Sequence, residues 1–268
     1  MKILLFGGKG FIGEYLALML QARGDCDVIV VDRDSQTTAQ DFDVDVVVVL
    51  TQPWDSVKNM LLPALVSTKT LKKIIYCSSL LVYPDALYAQ LEETLPRPLT
   101  EYEIGKYQEE LVLSHFGQQK HIALCIARLA NVYGDVKNRG IVNHIIRAAL
   151  QKTSFTVFGD KDKKIRDYIL VDDVARFLSF LVFWPQDKAV EIFNVSTGTG
   201  CSVKNLIDAV EVAAGTKIFY DTGGEVLEKQ SVIGANSKLL ALSGLATPRS
   251  LSEGLSKTFE RYREFYDC

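Results

Sequence analysis

Short apolar runs recur along the first half of the chain, and they lack the polar alternation of a half-exposed strand. Continuous runs rich in β-branched residues are typical of parallel strands that are covered on both faces of a sheet. Segments with helical spacing lie between the runs, so the pattern predicts a doubly wound α/β sheet. The predicted strands are 2–6, 28–31, 45–50, 73–77 and 122–127. The predicted helices are 11–23, 54–69 and 100–117.

The second half of the chain is less regular. It predicts helices near 138–151, 172–184, 202–214 and 250–265, with short strands near 155–158 and 191–195. Neither an internal repeat nor a low-complexity linker separates the two halves. We therefore expect the second half to form a small part that is closely appended to the sheet.

A glycine-rich segment, GGKGFIG, follows the first strand and opens the first helix. Gly7, Gly10 and Gly13 allow a tight turn, close approach of the backbone to a pyrophosphate, and close packing of the helix on the strand. The free N–H groups at the helix start can bind phosphate oxygens. The spacing therefore predicts a dinucleotide-binding, Rossmann-like fold. Its predicted cofactor contacts are Gly7, Gly10, Phe11, Ile12 and Gly13.

Asp32 ends the second predicted strand, nineteen residues after Gly13. A carboxylate at this position can accept hydrogen bonds from both ribose hydroxyls and repel a 2′-phosphate, so it favours NAD. Arg33 follows directly and could hold a phosphate if it turned inward, which leaves NADP open. Only twelve residues separate Asp32 from Asp45, so we expect a shortened or missing outer strand or helix on the adenine side.

Tyr102 and Lys106 lie four residues apart in the predicted helix 100–117, so they point from one face of it. An ammonium group beside a phenol favours the phenolate and lowers the pKa of the phenol. Ser79 lies just beyond strand 73–77, at the carboxyl end of the sheet, where open α/β folds bind ligands. We predict that Tyr102 is the general acid and base, that Ser79 orients the substrate oxygen, and that Lys106 also contacts the cofactor ribose.

Composition narrows the classes of function. A chain of 268 residues with 48% hydrophobic residues can bury a full core, and a net charge of −3 argues against nucleic-acid binding. Five scattered cysteines fit a reducing compartment, and the three histidines lack metal-ligand spacing.

Glycines interrupt the N-terminal run MKILLF too early for a signal peptide, and no run approaches the roughly 20 apolar residues of a membrane span. We expect a cytoplasmic protein without metal, nucleic-acid or membrane partners.

Six segments, in one order, resemble the extended short-chain dehydrogenase/reductase family, in particular its NAD-dependent epimerase/dehydratase branch, which modifies nucleotide sugars. They are GGKGFIG, YCSSLLVYP, YEIGK, RLANVYG, RDYILVDDVA and FNVSTGTGCSV, and the later segment GLATPRSLSEGL is similar too. The resemblance implies that Asn131 and Ser79 contact a sugar nucleotide and that Arg166 binds its diphosphate. It also implies a homodimer in which the Tyr102 helix and the helix before it pack across a two-fold axis.

One departure from the family narrows the implied reaction. Sugar 4,6-dehydratases of this branch carry Asp and Glu directly after the catalytic serine or threonine, whereas this chain has Leu80 and Leu81, which cannot transfer protons. The resemblance therefore implies hydride transfer between NAD(P) and C4 of a nucleotide sugar. A 4-epimerase would retain NAD and a 4-ketoreductase would release the cofactor. The alternative is a non-catalytic NAD-binding regulatory protein on the same fold.

The two halves of the chain are expected to bind different ligands. We assign residues 1–135 to an NAD(P)-binding Rossmann domain, with additions to its sheet from residues 155–200. Residues 136–268 are assigned mainly to substrate binding.

Overall fold

The computed structural model describes residues 1–32, 43–52, 61–66 and 68–266. The chain forms two compact units built from interleaved segments. The first, called the sheet unit, comprises Met1–Val82, Glu101–Leu129 and Val174–Phe193. The second unit comprises Tyr83–Thr100, Ala130–Asp173 and the chain from Asn194 onward.

Thirteen strands and eight helices are assigned within the described residues. In chain order the strands are β1 (Lys2–Phe6), β2 (Asp27–Val31), β3 (Val46–Val49), β4 (Lys73–Ser79), β5 (Ala89–Gln90), β6 (Ala123–Leu129), β7 (Asn131–Tyr133), β8 (Phe155–Val157), β9 (Ile165–Leu170), β10 (Val190–Val195), β11 (Gly200–Ser202), β12 (Tyr220–Thr222) and β13 (Ser231–Gly234). The helices are α1 (Phe11–Gln21), α2 (Leu62–Val66), α3 (Glu101–Lys120), α4 (Ile141–Gln151), α5 (Val171–Phe183), α6 (Val203–Ala214), α7 (Ser237–Ser243) and α8 (Leu251–Tyr266).

The sheet unit is built on a six-stranded sheet with the strand order β10-β6-β4-β3-β1-β2. Neighbouring strands from β2 to β6 pair in parallel, which brings their carboxyl ends to one edge. The predicted α/β fold with a parallel sheet is therefore confirmed. β2 is the edge strand of the described sheet, and the predicted shortening after Asp32 stays a prediction, because residues 33–42 lie outside the described residues.

Continuous apolar strands form the core of the sheet unit, as their sequence predicts. All four valines of β3 are buried, and Ile74 and Tyr76 of β4 pack in the same cluster as Leu113 of α3. Full burial of an aliphatic side chain contributes about 1.5–3 kcal/mol, so this layer fixes α3 against the sheet. The position of α3 matters because it carries Tyr102 and Lys106.

The second unit has its own small sheet and core. Its sheet has the strand order β11-β9-β13-β5, with β7 pairing to β9. Helices α4, α6 and α8 contribute Ile145, Leu206 and Phe259 to one buried cluster. None of the helices in the described ranges combines the length and apolar character that a membrane crossing requires.

The five strands predicted in the first half are all present, with ends within two residues of the prediction. Of the predicted helix 54–69, the structure describes the stretch Leu62–Val66, and most of the rest lies outside the described residues. The sequence pattern missed six short strands and one helix: β5, β7, β9, β11, β12, β13 and α7. They are short, and buried polar residues such as Arg166 and Asp167 in β9 hide the apolar pattern of a strand.

Candidate active site

The glycine-rich turn connects β1 to α1. Gly7 has φ +85°, a left-handed backbone conformation in which a residue with a side chain would be strained. A Cβ atom on Gly13 would lie 2.5 Å from the Cα of Gly8, so only glycine lets α1 pack this closely on the turn. α1 begins at Phe11, and its N-cap residue Gly10 provides no side-chain hydrogen bond. The N–H groups of the first helical turn therefore remain available to an anion.

A cavity of about 380 Å³ opens in front of this turn. Its lining residues are Gly7, Gly10, Phe11, Ile12, Gly13, Asp32, Leu50, Thr51 and Gln52. The structure thus brings the predicted glycine-turn residues and Asp32 together, whereas Lys106 is not among the lining residues and Arg33 lies outside the described residues. The buried hydroxyl of Thr51 has no hydrogen-bond partner among the described residues. An anion-binding helix start, a bare glycine turn and a carboxylate at the end of β2 fit a dinucleotide.

Ser79 and Tyr102 form the centre of the candidate site. Ser79 is the last residue of β4, and Tyr102 is the second residue of α3. Their side chains are hydrogen-bonded to each other. Burial raises the pKa of Tyr102 above its ordinary value, and the hydrogen bond with Ser79 opposes that shift. The phenol is therefore held at the carboxyl end of the sheet, where a substrate oxygen could replace or share the serine contact.

Lys106 lies on the same helix face as Tyr102 but turns to the main chain. Its ammonium group donates to the backbone oxygens of Thr51 at 2.8 Å and Cys77 at 2.9 Å. It therefore bridges the ends of β3 and β4. The expectation that Lys106 lowers the pKa of Tyr102 is not met, since that pKa is raised, by burial and to a smaller extent by nearby carboxylates. Helical spacing sets where the two Cβ atoms lie and leaves the direction of a long lysine side chain open.

A buried ion pair that the sequence prediction missed supports α3. Glu110 accepts hydrogen bonds from Nε of Arg128 at 3.0 Å and from Nη2 at 2.7 Å, and Ser78 also donates to its carboxylate. These contacts join α3 to β6 and β4. A charged residue within the apolar strand IALCIARLA was the available signal, because buried arginine needs a partner.

Of the three predicted substrate residues, Ser79 lies in the sheet unit, and Asn131 and Arg166 lie in the second unit. Asn131 opens β7, and its side-chain amide donates to the backbone oxygen of Asp167 at 3.1 Å. Arg166 is buried in β9 and donates to three backbone oxygens and to the carboxylate of Glu228. Binding a diphosphate would require Arg166 to exchange some of these contacts. The roles of both residues stay predictions.

The sequence model of the NAD dependent epimerase/dehydratase family matches residues 56–196, slightly more than half of the chain. UDP-glucose 4-epimerase from Homo sapiens is 29% identical over 170 residues, which cover 56% of this chain and 49% of that protein. The chain therefore spans about half the length of this curated relative.

Solved structures extend the likeness over nearly the whole chain. UDP-glucuronic acid 4-epimerase from Bacillus cereus, solved with UDP-glucuronic acid and NAD, has a TM-score of 0.89 at 23% identity, covering 99% of this chain and 100% of that chain. DesIV, a dTDP-glucose 4,6-dehydratase from Streptomyces venezuelae, has a TM-score of 0.87 at 18% identity, covering 98% and 97%. At these identities the likeness establishes the fold and does not separate epimerases from dehydratases.

The match to the family, the Rossmann-type fold and the glycine turn agree with the resemblance seen in the sequence motifs, and with the prediction of NAD as the cofactor. The chain belongs to the NAD dependent epimerase/dehydratase family.

Proposed function

We propose that the chain catalyses NAD-dependent oxidation and reduction at C4 of a nucleotide sugar, as a 4-epimerase. The observation that carries the proposal is the hydrogen-bonded pair of Ser79 and Tyr102, with Lys106 on the same helix and the glycine turn in the same unit. Relatives named UDP-glucose 4-epimerase and putative UDP-arabinose 4-epimerase support an epimerase.

The side chains of the site provide the proton chemistry of this reaction. Tyr102 removes the proton from the C4 hydroxyl of the sugar, while the hydroxyl of Ser79 holds that oxygen in place. Bound NAD would accept a hydride from C4 and return it, which is the chemistry that this cofactor supplies. After the keto sugar rotates to present its other face, the hydride would return to C4 on that face and Tyr102 gives the proton back to the same C4 oxygen. The configuration at C4 is then inverted without net oxidation.

The cofactor would lie along the carboxyl edge of the sheet. The first turn of α1 would bind its pyrophosphate, and Asp32 would accept hydrogen bonds from its adenosine ribose. Lys106, fixed by the backbone oxygens of Thr51 and Cys77, would contact the second ribose. We assign these tasks to the domain predicted at residues 1–135, and substrate binding by Asn131 and Arg166 mainly to the remainder.

Leu80 and Leu81 support a reaction without elimination. They form the 3₁₀ turn Leu80–Val82 directly after Ser79, and neither side chain can transfer a proton. A 4,6-dehydratase needs an additional acid and base, so we do not propose that activity.

A 4-ketoreductase is the second candidate, because it would use the same three residues. The short interval of twelve residues between Asp32 and Asp45 favours it, since less protein would enclose an exchanging cofactor. The amount of NAD released when the purified protein is denatured distinguishes the two candidates. An epimerase releases about one NAD per chain, whereas a ketoreductase releases little.

The activity itself can be tested with pairs of nucleotide sugars that differ only at C4. Each purified nucleotide sugar is incubated with the protein, and the products are separated by chromatography. Formation of the C4 epimer without added cofactor supports the epimerase. Reduction of a 4-keto sugar only with added NADH or NADPH supports the ketoreductase, and binding of NAD with neither reaction supports the non-catalytic alternative.

We also propose a homodimer that forms through α3. Ile104, Leu111 and Val112 are exposed apolar side chains on this helix, at spacings that place them on one face. Burying them against a second copy would remove apolar surface from water. Light scattering coupled to size-exclusion chromatography measures the mass, and a Leu111→Asp variant should shift a dimer toward monomer.

A further inference from the structure

Tyr76 and Glu109 form a hydrogen-bonded pair next to Lys106. Tyr76 lies in β4 and is fully buried, and its hydroxyl donates to Oε2 of Glu109 at 2.5 Å. Glu109 lies on α3, three residues after Lys106, and is half-buried. The sequence pattern did not single out either residue, and neither has a task in the proton transfer described above.

The ring of Tyr76 also contacts Lys106. The ammonium nitrogen of Lys106 lies 4.9 Å from the centre of this ring, a cation–π distance. The backbone oxygens of Thr51 and Cys77 hold the same ammonium group. One tyrosine therefore touches the cation with its ring and the carboxylate of Glu109 with its hydroxyl.

The carboxylate of Glu109 acts electrostatically on two site residues. It raises the pKa of Lys106, against the larger lowering that burial causes, and it adds to the raised pKa of Tyr102. Burial raises the pKa of Glu109, and the hydrogen bond from Tyr76 opposes that shift, which favours the ionised carboxylate. The other ionisable side chains that act on Tyr76, Lys106 or Tyr102 are Glu103 and Glu110 of α3 and Cys77 of β4.

We propose that Tyr76 and Glu109 are positioning residues for the reaction, in which Tyr76 fixes the carboxylate and the carboxylate favours the protonated forms of Lys106 and Tyr102. This inference rests on the proposed function of Tyr102 as the acid and base. Glu109 touches neither substrate nor cofactor in this account. Its effect passes through the two residues that do.

A positioning role of this kind predicts a specific change in the pH profile. The active form needs a deprotonated Tyr102 and a protonated Lys106. Removing the negative charge of Glu109 makes both groups lose their protons at lower pH, so both limbs of the profile move toward acid. Mutation of a residue with only a structural role would lower the rate at every pH and leave the pH of both limbs unchanged.

The test uses Glu109→Gln, which keeps the shape of the side chain and its hydrogen-bond acceptor. Single-turnover oxidation of the nucleotide sugar is followed over pH by the absorbance of the reduced cofactor. On the acid limb we expect the rate at a fixed pH to rise roughly threefold to tenfold. The control is Glu101→Gln, which removes the same charge from an exposed position on α3 and should leave the profile unchanged. Limbs that stay in place in an active Glu109→Gln variant would overturn the proposal.

Tyr76→Phe removes the hydroxyl group that binds the carboxylate of Glu109. The variant keeps the ring beside Lys106 and loses the hydrogen bond to Glu109, so its profile should move in the same direction by a smaller amount. Circular dichroism verifies that each variant is folded. A shift in Tyr76→Phe that exceeds the one in Glu109→Gln would contradict the assigned roles.

A second readout does not depend on activity. Tyrosine labelled with ¹³C at Cζ reports the ionisation of Tyr102 by NMR, and Tyr102→Phe assigns its signal. Glu109→Gln should move the titration of Tyr102 to lower pH even if no nucleotide sugar is turned over, and then only the proposed function fails. An unchanged titration in an active enzyme rejects the role of Glu109 alone.

Discussion

The guanidinium group of Arg128 and the carboxylate of Glu110 form a two-point ion pair with exposed fractions of only 2% and 3%. Arg128 lies in β6 and Glu110 in α3, so the pair ties the helix of Tyr102 to the sheet. Breaking such a pair is costly because the remaining charge stays buried without its partner.

The variant Arg128→Met should therefore lower the free energy of unfolding by about 3–5 kcal/mol. Urea denaturation followed by circular dichroism measures this change. The matched control is Arg23→Met, which removes an exposed partner of Asp25 and should change the stability much less. The double variant Arg128→Met with Glu110→Gln should recover part of the loss. Equal stabilities of the wild-type and Arg128→Met proteins would contradict the assigned role.

Gly13→Ala should weaken NAD binding by at least about tenfold, a loss of roughly 1.4 kcal/mol. The added Cβ would lie 2.5 Å from the Cα of Gly8, so α1 would have to move away from the turn that binds the pyrophosphate. Titration calorimetry with NAD measures the effect. Gly224→Ala is the control, because a Cβ there meets no atom within 4 Å. Unchanged affinity in the Gly13 variant would argue against the glycine turn as the cofactor site.

Asp167 should make stability depend on pH in the acid range. It is fully buried in β9, and burial raises its pKa to about 6, against the opposing hydrogen bonds from Thr197 and Gly198. The native state therefore binds a proton more tightly than the unfolded chain. The resulting stabilisation is complete below about pH 4 and is lost as the pH rises through 6.

The test compares Asp167→Asn with the wild type by urea denaturation at several pH values. The unfolding free energy of the wild type minus that of Asp167→Asn should fall by about 2 kcal/mol between roughly pH 4 and pH 7. A difference that stays constant or grows with pH would contradict the raised pKa of Asp167.

The sequence predicts the parallel sheet well because its strands are covered on both faces. Runs such as the valines of β3 have no polar positions, and short intervals between them leave little choice of topology. The glycine turn was equally predictable from the sequence, since the close contact between Gly13 and Gly8 excludes any residue with a side chain at position 13. Local sterics and burial determine these features, and both are visible along the chain.

The electrostatics of the site could not be predicted in the same way. Helical spacing places Tyr102 near Lys106, but the partners of Lys106 are the backbone oxygens of Cys77 in β4 and of Thr51 after β3, 29 and 55 residues earlier in the chain. The pKa of Tyr102 depends on its burial and on Glu109, both of which require the packed structure. For the same reason the contacts of Arg166 with residues near 230 had no signal in its own segment.

The most direct test of the proposed chemistry compares wild-type protein with Tyr102→Phe. Both proteins are supplied with a nucleotide sugar, its conversion to the C4 epimer is followed by chromatography, and the bound NAD is measured after denaturation. We predict equal NAD content and a rate that is lower in the variant by a factor on the order of 10²–10⁴. Epimerisation at the wild-type rate by Tyr102→Phe would contradict the assignment of Tyr102 as the proton-transfer group.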